Sequence, residues 1–283
     1  MAIVVTGTSG QLGRQIVEKL LERGVPAGDV VATARDTARI ADLAERGVRT
    51  ARLDYTDVQA EGSALSAGDV LVLVSSSEVG QRTAQHRNVV EAAVAAGVAR
   101  VVYTSTANID TDLVVAPEHR ETEALIEASG LPRTFLRNGW YTENYAPAFA
   151  QAQATGAIAA AAADGRVASV ERAELAEAAA VVASTEGHEQ KAYELVAPTA
   201  WTHAELAATF GEVLGREVTY AALDADAYRE VLLGAGLDEG TAGFLVTADL
   251  NIADGDLAGT GDDLAALLGR APRTLRETVG TWA

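Results

Sequence analysis

The sequence predicts an α/β protein built on a parallel sheet with helices on both faces. Two observations carry this prediction. Short β-branched runs alternate with amphipathic stretches of helical length, and the first run passes straight into a glycine-rich turn. A third observation agrees with them: the chain of 283 residues is 48% hydrophobic but only 5% aromatic, an aliphatic balance suited to strands covered on both sides.

Strands are expected over residues 2–6, 30–34, 49–53, 70–74, 101–104 and 134–137. The helix opening at Leu12 places Leu12, Ile16, Val17, Leu20 and Leu21 on one side and Glu18, Lys19, Glu22 and Arg23 on the other, a 3.6-residue stripe facing a sheet. Strands separated by helices pair in parallel through right-handed crossovers, which gives a doubly wound sheet with ligands beyond its carboxyl edge. After Gly139 the pattern loosens, with helices expected over 172–184 and 203–214 and short strands over 167–169, 191–195 and 217–220. Residues 1–150 therefore read as a nucleotide-binding unit of the Rossmann type. Residues 151–283 read as a smaller mixed α/β region on the substrate side, interleaved with the first rather than an independent domain. The stretch 234–261 holds seven glycines and several acids and reads as irregular, either a mobile lid or a plain surface loop. The run 157–163 is alanine-biased.

Composition excludes several function classes. With 40 acidic against 22 basic residues the formal charge is −18, and without a Lys/Arg run a nucleic-acid backbone is repelled. No apolar stretch approaches the roughly 20 residues of a spanning helix. The first residues carry no cationic leader, so the expectation is a cytoplasmic protein with no membrane and no nucleic-acid partner. The chain has no cysteine, which removes disulfides, thiolate metal sites and a cysteine nucleophile. His86, His119, His188 and His203 are scattered without ligand spacing, and no metal is expected.

The segment Thr6, Gly7, Thr8, Ser9, Gly10, Gln11, Leu12, Gly13 follows a strand and opens a helix, the context a dinucleotide fingerprint requires. Gly7 serves the tight turn, Gly10 the approach of a pyrophosphate to backbone N–H groups, and Gly13 close packing of helix on strand. The residue ending the second strand, where an acid would bind the 2′-hydroxyl of NADH, is Arg35. A guanidinium takes a 2′-phosphate bidentately, so Arg35 points to NADPH. Asp36 beside it suits a helix cap better than a ribose ligand. Asp54, after the third strand, is placed for the adenine edge or for a turn.

Two longer segments carry a family resemblance. One is Ser75, Ser76, Ser77, Glu78, Val79, Gly80, Gln81, Arg82 with Gln85, His86, Arg87 and Asn88; the other is Leu136, Arg137, Asn138, Gly139, Trp140, Tyr141 with Glu143, Asn144 and Tyr145. In these the chain closely resembles bacterial type 2 NADPH:quinone oxidoreductases, NmrA-like members of the atypical short-chain dehydrogenases. The three-and-three glycine spacing and the segment Asp164 to Ser169 agree. The resemblance implies a flavin-free fold in which NADPH itself delivers hydride to a small quinone. It implies cofactor contacts from Gly7, Thr8, Ser9, Gly10, Gln11, Leu12, Arg35, Ser75, Ser76, Ser77, Asn138, Gly139, Trp140, Tyr141, Thr142 and Glu143, with Asn144 near the quinone and Gln85 a further catalytic candidate. Ser75 to Ser77 could equally cap a helix, and Trp140 and Tyr141 could be core or interface aromatics.

The Tyr-x-x-x-Lys pair of ordinary short-chain dehydrogenases is missing. His119 stands at the tyrosine place and Glu123 at the lysine place, where a carboxylate would raise a neighbour's pKa rather than lower it. His119 is read as a solvated helix residue. Quinone reduction tolerates this absence, because hydride addition gives a resonance-stabilised hydroquinone anion; Asn144 would bond one quinone oxygen while Tyr141 or water supplies a proton. Two other functions stay open: a non-catalytic NADP-binding regulator, and a reductase of imines, ketones or another carbonyl-like acceptor. A homodimer is compatible with the sequence.

Overall fold

The computed structural model describes residues 1–57 and 64–283. Eleven strands are placed: β1 (Ile3–Val5), β2 (Val30–Ala34), β3 (Arg49–Arg52), β4 (Val70–Leu73), β5 (Arg100–Thr106), β6 (Arg133–Asn138), β7 (Ala157–Ala160), β8 (Arg166–Val167), β9 (Lys191–Leu195), β10 (Trp201–Thr202) and β11 (Thr219–Ala222) among the described residues. The helices are α1 (Gln11–Glu22), α2 (Ala41–Glu45), α3 (Arg82–Ala96), α4 (Ala116–Ala128), α5 (Ala146–Thr155), α6 (Arg172–Ser184), α7 (His203–Leu214), α8 (Ala225–Gly234), α9 (Glu239–Asp254), α10 (Asp263–Leu268) and α11 (Leu275–Val279).

Seven of the strands form one sheet in the order β3-β2-β1-β4-β5-β6-β9. Every pairing in it is parallel. The chain winds outward from β1 to β3 and then, from β4, outward the other way, so the crevice between β1 and β4 is the topological switch point. Alternation within each strand serves both faces. Ile3, Val5, Val70 and Val72 pack under α1 and α6 with Ile16, Leu20, Leu175 and Ala179. Val4, Leu71, Leu73 and Tyr103 pack under α3 and α4 with Val89, Ala93 and Ile126. Continuous burial along β1, β2, β4 and β5 explains why these segments read as largely apolar runs, whereas the edge strands β3 and β9 are mostly exposed.

Beyond residue 150, β9 extends the sheet and α6 covers it against α1. The remainder builds a second core around Phe149, Phe210, Trp201 and Ile252. The alanine-biased run becomes β7, because Gly156 (φ 77) ends α5 and β11 offers a parallel partner from Thr219 to Ala222.

Two expectations are corrected. The stretch 234–261 is largely α9, a 16-residue helix capped by Asp238, whose carboxylate accepts from Thr241 N at 3.0 Å, and closed by Gly255 at φ 92. Its glycines masked the stripe Leu245, Ala248, Asp249, Ile252. Gly165 lets this helix seat, since a Cβ there would meet the Ile252 carbonyl at 2.1 Å. The second correction is His119, which is only 5% exposed on α4 and packs against Tyr103 rather than facing solvent.

Gly13 sets the height of α1 over the sheet. A Cβ at this position would lie 2.6 Å from the Gly7 carbonyl oxygen and 2.8 Å from that of Thr6, both backbone atoms that cannot swing away. Gly13→Ala is expected to cost about 1–3 kcal/mol by overpacking, read as a lower urea midpoint at unchanged slope.

Candidate active site

The turn after β1 is held by side chains that the core consumes. Thr6 Oγ1 accepts from Val74 N at 2.9 Å and from the Tyr55 hydroxyl, which lies 2.7 Å from the Val74 carbonyl. Thr8 gives both its N–H and its hydroxyl to the Thr33 carbonyl, each at 2.9 Å, and Leu12 packs in the core. Thr8 and Leu12 thus shape the turn, and neither of Thr8's donors is free to cradle a phosphate. Gly7 takes φ 63, and Gly10 precedes α1 with no side chain capping the first turn. The N–H groups of that turn are open to an anion.

A cleft of about 280 Å³ lies beside this turn, lined by Gly7, Ser9, Gly10, Arg35, Arg39, Asp54, Tyr55, Ser76, Ser77 and Gln85 among others. Arg35 is 67% exposed at its side chain and pairs with Glu78 at 3.1 Å. Asp36 is a cap, its carboxylate accepting from Ala38 N at 3.0 Å. The cap turns the chain so that Arg39, four residues past Arg35, enters the same cleft. Sequence reading had passed over Arg39; a second guanidinium one turn after the first was the available signal. Asp54 accepts from the Thr56 hydroxyl at 2.8 Å and Thr56 N at 3.1 Å. Those bonds, the hydroxyl first, hold its pKa below the usual carboxylate range.

The loop after β4 is tied by a chain of hydrogen bonds. Ser75 N donates to Thr104 Oγ1 at 2.9 Å, and Ser76 N donates to His86 Nε2 at 2.9 Å. Thr122 Oγ1 gives its own hydrogen to the Glu118 carbonyl, so it receives one from His86 Nδ1 at 3.0 Å. This fixes the His86 tautomer as neutral with the proton on Nδ1. Burial first, then the Arg82 charge, push its pKa down to about 3. Gln85 is 6% exposed and occupied at both ends, accepting from Ser76 Oγ at 2.5 Å and donating to Glu78 Oε2 at 2.8 Å. The structure gives it a loop-holding position, with its carbonyl and one amide N–H engaged.

The missing tyrosine–lysine pair is replaced by structural bonds. His119 Nδ1 and the Tyr103 hydroxyl share a 2.7 Å hydrogen bond in the core, where burial holds the imidazole neutral. Glu123 takes the Arg137 guanidinium bidentately at 3.0 and 2.8 Å, and Arg137 reaches Glu194 at 3.1 Å. Neither His119 nor Glu123 is available to a substrate.

The exit of β6 is pinned from behind. A Cβ on Gly139 would meet the Leu195 carbonyl at 2.9 Å, so only glycine lets the strand turn here. Thr142 shares a 2.9 Å bond with Ser169, which also accepts from the Trp201 indole at 3.0 Å. Glu143 accepts the Arg172 N–H at 3.0 and 3.1 Å, capping α6, and the Arg172 guanidinium lies 4.8 Å over the Tyr141 ring and bonds Gln11. Burial pushes the Tyr141 hydroxyl pKa up. Thr142 and Glu143 hold the segment in place, while Asn138 Oδ1 and Ser105 Oγ are buried at the carboxyl edge with no partner among the described residues.

A second cleft, of about 470 Å³, opens beside Trp140. Its walls are largely apolar, from α5, β7, α8 and α9, and Asn144, His203, Tyr228 and Asp249 bring polar groups into it. Asn144 is exposed there, as its sequence reading requires. Asp249 was missed, although an acid inside the apolar stripe of a helix is a signal in itself. Among the described residues no group of three or more His, Asp or Glu could hold a metal, and no helix is long and apolar enough to cross a membrane.

Comparison with known proteins matches residues 1–254 to the NmrA-like family. The chain is 44% identical over 278 residues to quinone oxidoreductase 2 of Escherichia coli (strain K12), covering 98% of this chain and 97% of that one. The solved NADPH complex of an E. coli NADPH-dependent quinone oxidoreductase superposes with TM-score 0.95 at 43% identity, covering 99% of each chain. The Citrobacter sp. triphenylmethane reductase complexed with NADP(H) superposes with TM-score 0.96 at 34% identity over 100% of both chains.

Two substitutions test the cleft beside the glycine turn. Arg35→Ala is expected to weaken NADPH at least tenfold, the worth of one charge-assisted phosphate contact of about 1.5–3 kcal/mol, and to leave NADH within twofold by calorimetry. Glu78→Gln frees Arg35 from an exposed ion pair worth about 0–1 kcal/mol, and should tighten NADPH by up to about fivefold.

Proposed function

The chain belongs to the NmrA-like family, and from that premise we propose that it is an NADPH-dependent, flavin-free reductase of small quinones. The observation that carries this reading is a pair of clefts of different chemistry. One, with Arg35, is lined by residues just past the carboxyl ends of β1, β2, β3 and β4 and suits a phosphate; the other, largely apolar and with Asn144, is lined by Trp140 just past β6.

The residues fit the cofactor on their own evidence. The uncapped first turn of α1 suits the pyrophosphate, Arg35 and Arg39 suit a 2′-phosphate, and the orphaned acceptor on Asn138 suits an amide N–H. Bound NADPH supplies the hydride. Ser9, Gly10, Ser76 and Ser77 would line the cofactor, while Thr142 and Glu143 fix the segment that carries Asn138 to Tyr141. Asn144 would donate its amide N–H to one quinone oxygen, and the aliphatic walls would exclude water and orient a flat ring. Residues 1–150 serve as the cofactor unit, with 151–283 interleaved to form the acceptor wall. A small-molecule acceptor and a cytoplasmic setting belong to the same proposal.

Carbonyl reduction by a tyrosine–lysine mechanism has no support, because His119 is bonded to Tyr103 and Glu123 to Arg137. A purely regulatory role gives no account of the apolar cleft beside the cofactor site.

Purified protein mixed with NADPH and 1,4-benzoquinone should consume the reduced nicotinamide absorbance; no consumption with any quinone overturns the reading. Asn144→Ala should lower kcat/KM for the quinone about tenfold, the worth of one hydrogen bond of roughly 1–1.5 kcal/mol, without changing NADPH affinity.

A further inference from the structure

We infer that Asp249 is the proton donor of the reaction, delivering the carboxyl hydrogen to the quinone oxygen made anionic by hydride transfer. The inference rests on the quinone-reductase reading and supplies the acid that the absent tyrosine–lysine pair leaves unassigned.

Asp249 stands in the middle of α9, 8% exposed, on the wall of the same cleft that Asn144 lines. One carboxyl oxygen accepts the Ala161 N–H at 2.8 Å. The other accepts no hydrogen bond among the described residues. Ile158, Leu232, Leu245 and Ile252 form the apolar wall around it. An acid at such a place is costly unless the cleft uses it.

Among the described residues no cation faces it. The titratable groups that face it are Tyr145 ahead of α5, His203 on α7, Tyr220 on β11 and Tyr228 on α8, and none of these is a cation. Burial pushes His203 down to about 4, so it stays neutral. Arg166 on β8 turns away to Glu205 and the Ala200 carbonyl. With one N–H as its sole support against desolvation, the Asp249 carboxyl is pushed up to about 6.

That value suits a donor that must lose and regain a proton near neutrality. A phenolic oxyanion, whose conjugate acid ordinarily titrates near pKa ~10, takes the proton downhill from such a group. Tyr141, raised above the ordinary tyrosine value, has no such driving force. In the step, the O–H bond at Asp249 breaks, an O–H bond forms on the reduced quinone, and both electrons have already arrived with the hydride. The carboxylate is reprotonated by water.

Activity that needs the protonated carboxyl is full below its pKa and declines as pH rises through it. Wild-type kcat for 1,4-benzoquinone with NADPH should fall above pH about 6. D249N keeps an oxygen for Ala161 N and should lower kcat about 100-fold, flatten that limb, and leave calorimetric NADPH affinity within twofold. An independent readout needs no turnover: the carbon-13 NMR titration of the Asp249 carboxyl in wild-type protein, assigned by its loss in D249N, should shift its midpoint when 1,4-dihydroxybenzene is added. If D249N does not fold, D249E serves for assignment. Wild-type protein that consumes no NADPH with any quinone overturns the quinone reading. Wild-type turnover with D249N unchanged in rate and pH limb, or a titration indifferent to dihydroxybenzene, overturns the assignment of Asp249 alone.

Discussion

The approach of α1 to the turn after β1, possible only because residue 13 lacks a side chain, is the contact on which the site depends. It brings the first turn of the helix against the Gly7 and Thr6 carbonyls, so that its N–H groups open at the carboxyl end of the sheet. The other side of α1 rests on α6, whose first N–H is capped by Glu143 and whose Arg172 covers Tyr141 and reaches Gln11. The glycine turn and the exit of β6, some 130 residues apart in the chain, thereby become one rigid edge.

Charge has been redeployed where the superfamily keeps its acid–base pair. Glu123 and Glu194 share the Arg137 guanidinium between α4, β6 and β9, with Glu123 nearly buried. Breaking such a pair costs about 3–5 kcal/mol because a charge is left stranded, so the arrangement serves the fold at a position where other members do chemistry. The polar groups of the apolar cleft come instead from outside the central sheet, among them Asn144 on the turn before α5 and Asp249 on α9. Their cleft is set by the packing of α8 and α9 on β7, a part of the chain whose own pattern is weak.

Most strands and helices of the first half were legible because they are buried on a complete face, and burial writes periodicity into sequence. Helices α6 and α7 were legible for the same reason. α9 was hidden by glycines, two of them inside the helix, which composition reads as irregular although Asp238 caps it and its apolar stripe is regular. His119 was misjudged because its exposure depends on Tyr103, a residue of another element. Thr8, Leu12, Thr142 and Glu143 belong to the expected segments and hold their loops or the core, because a motif cannot say which of its members face outward and which are consumed by packing.

The sequence by itself determined the parallel sheet, the glycine turn, the guanidinium of Arg35 just past β2 and the loss of the usual catalytic pair. These are properties of residues close in the chain, fixed by period, spacing and side-chain chemistry. Only the tertiary structure decided that Arg39 joins Arg35, that Gln85 is spent on Ser76 and Glu78, and that Asp249 lines a cleft with Asn144. Each depends on the distance between elements far apart in sequence, and burial, which sets both partner choice and pKa, is a property of that packing alone.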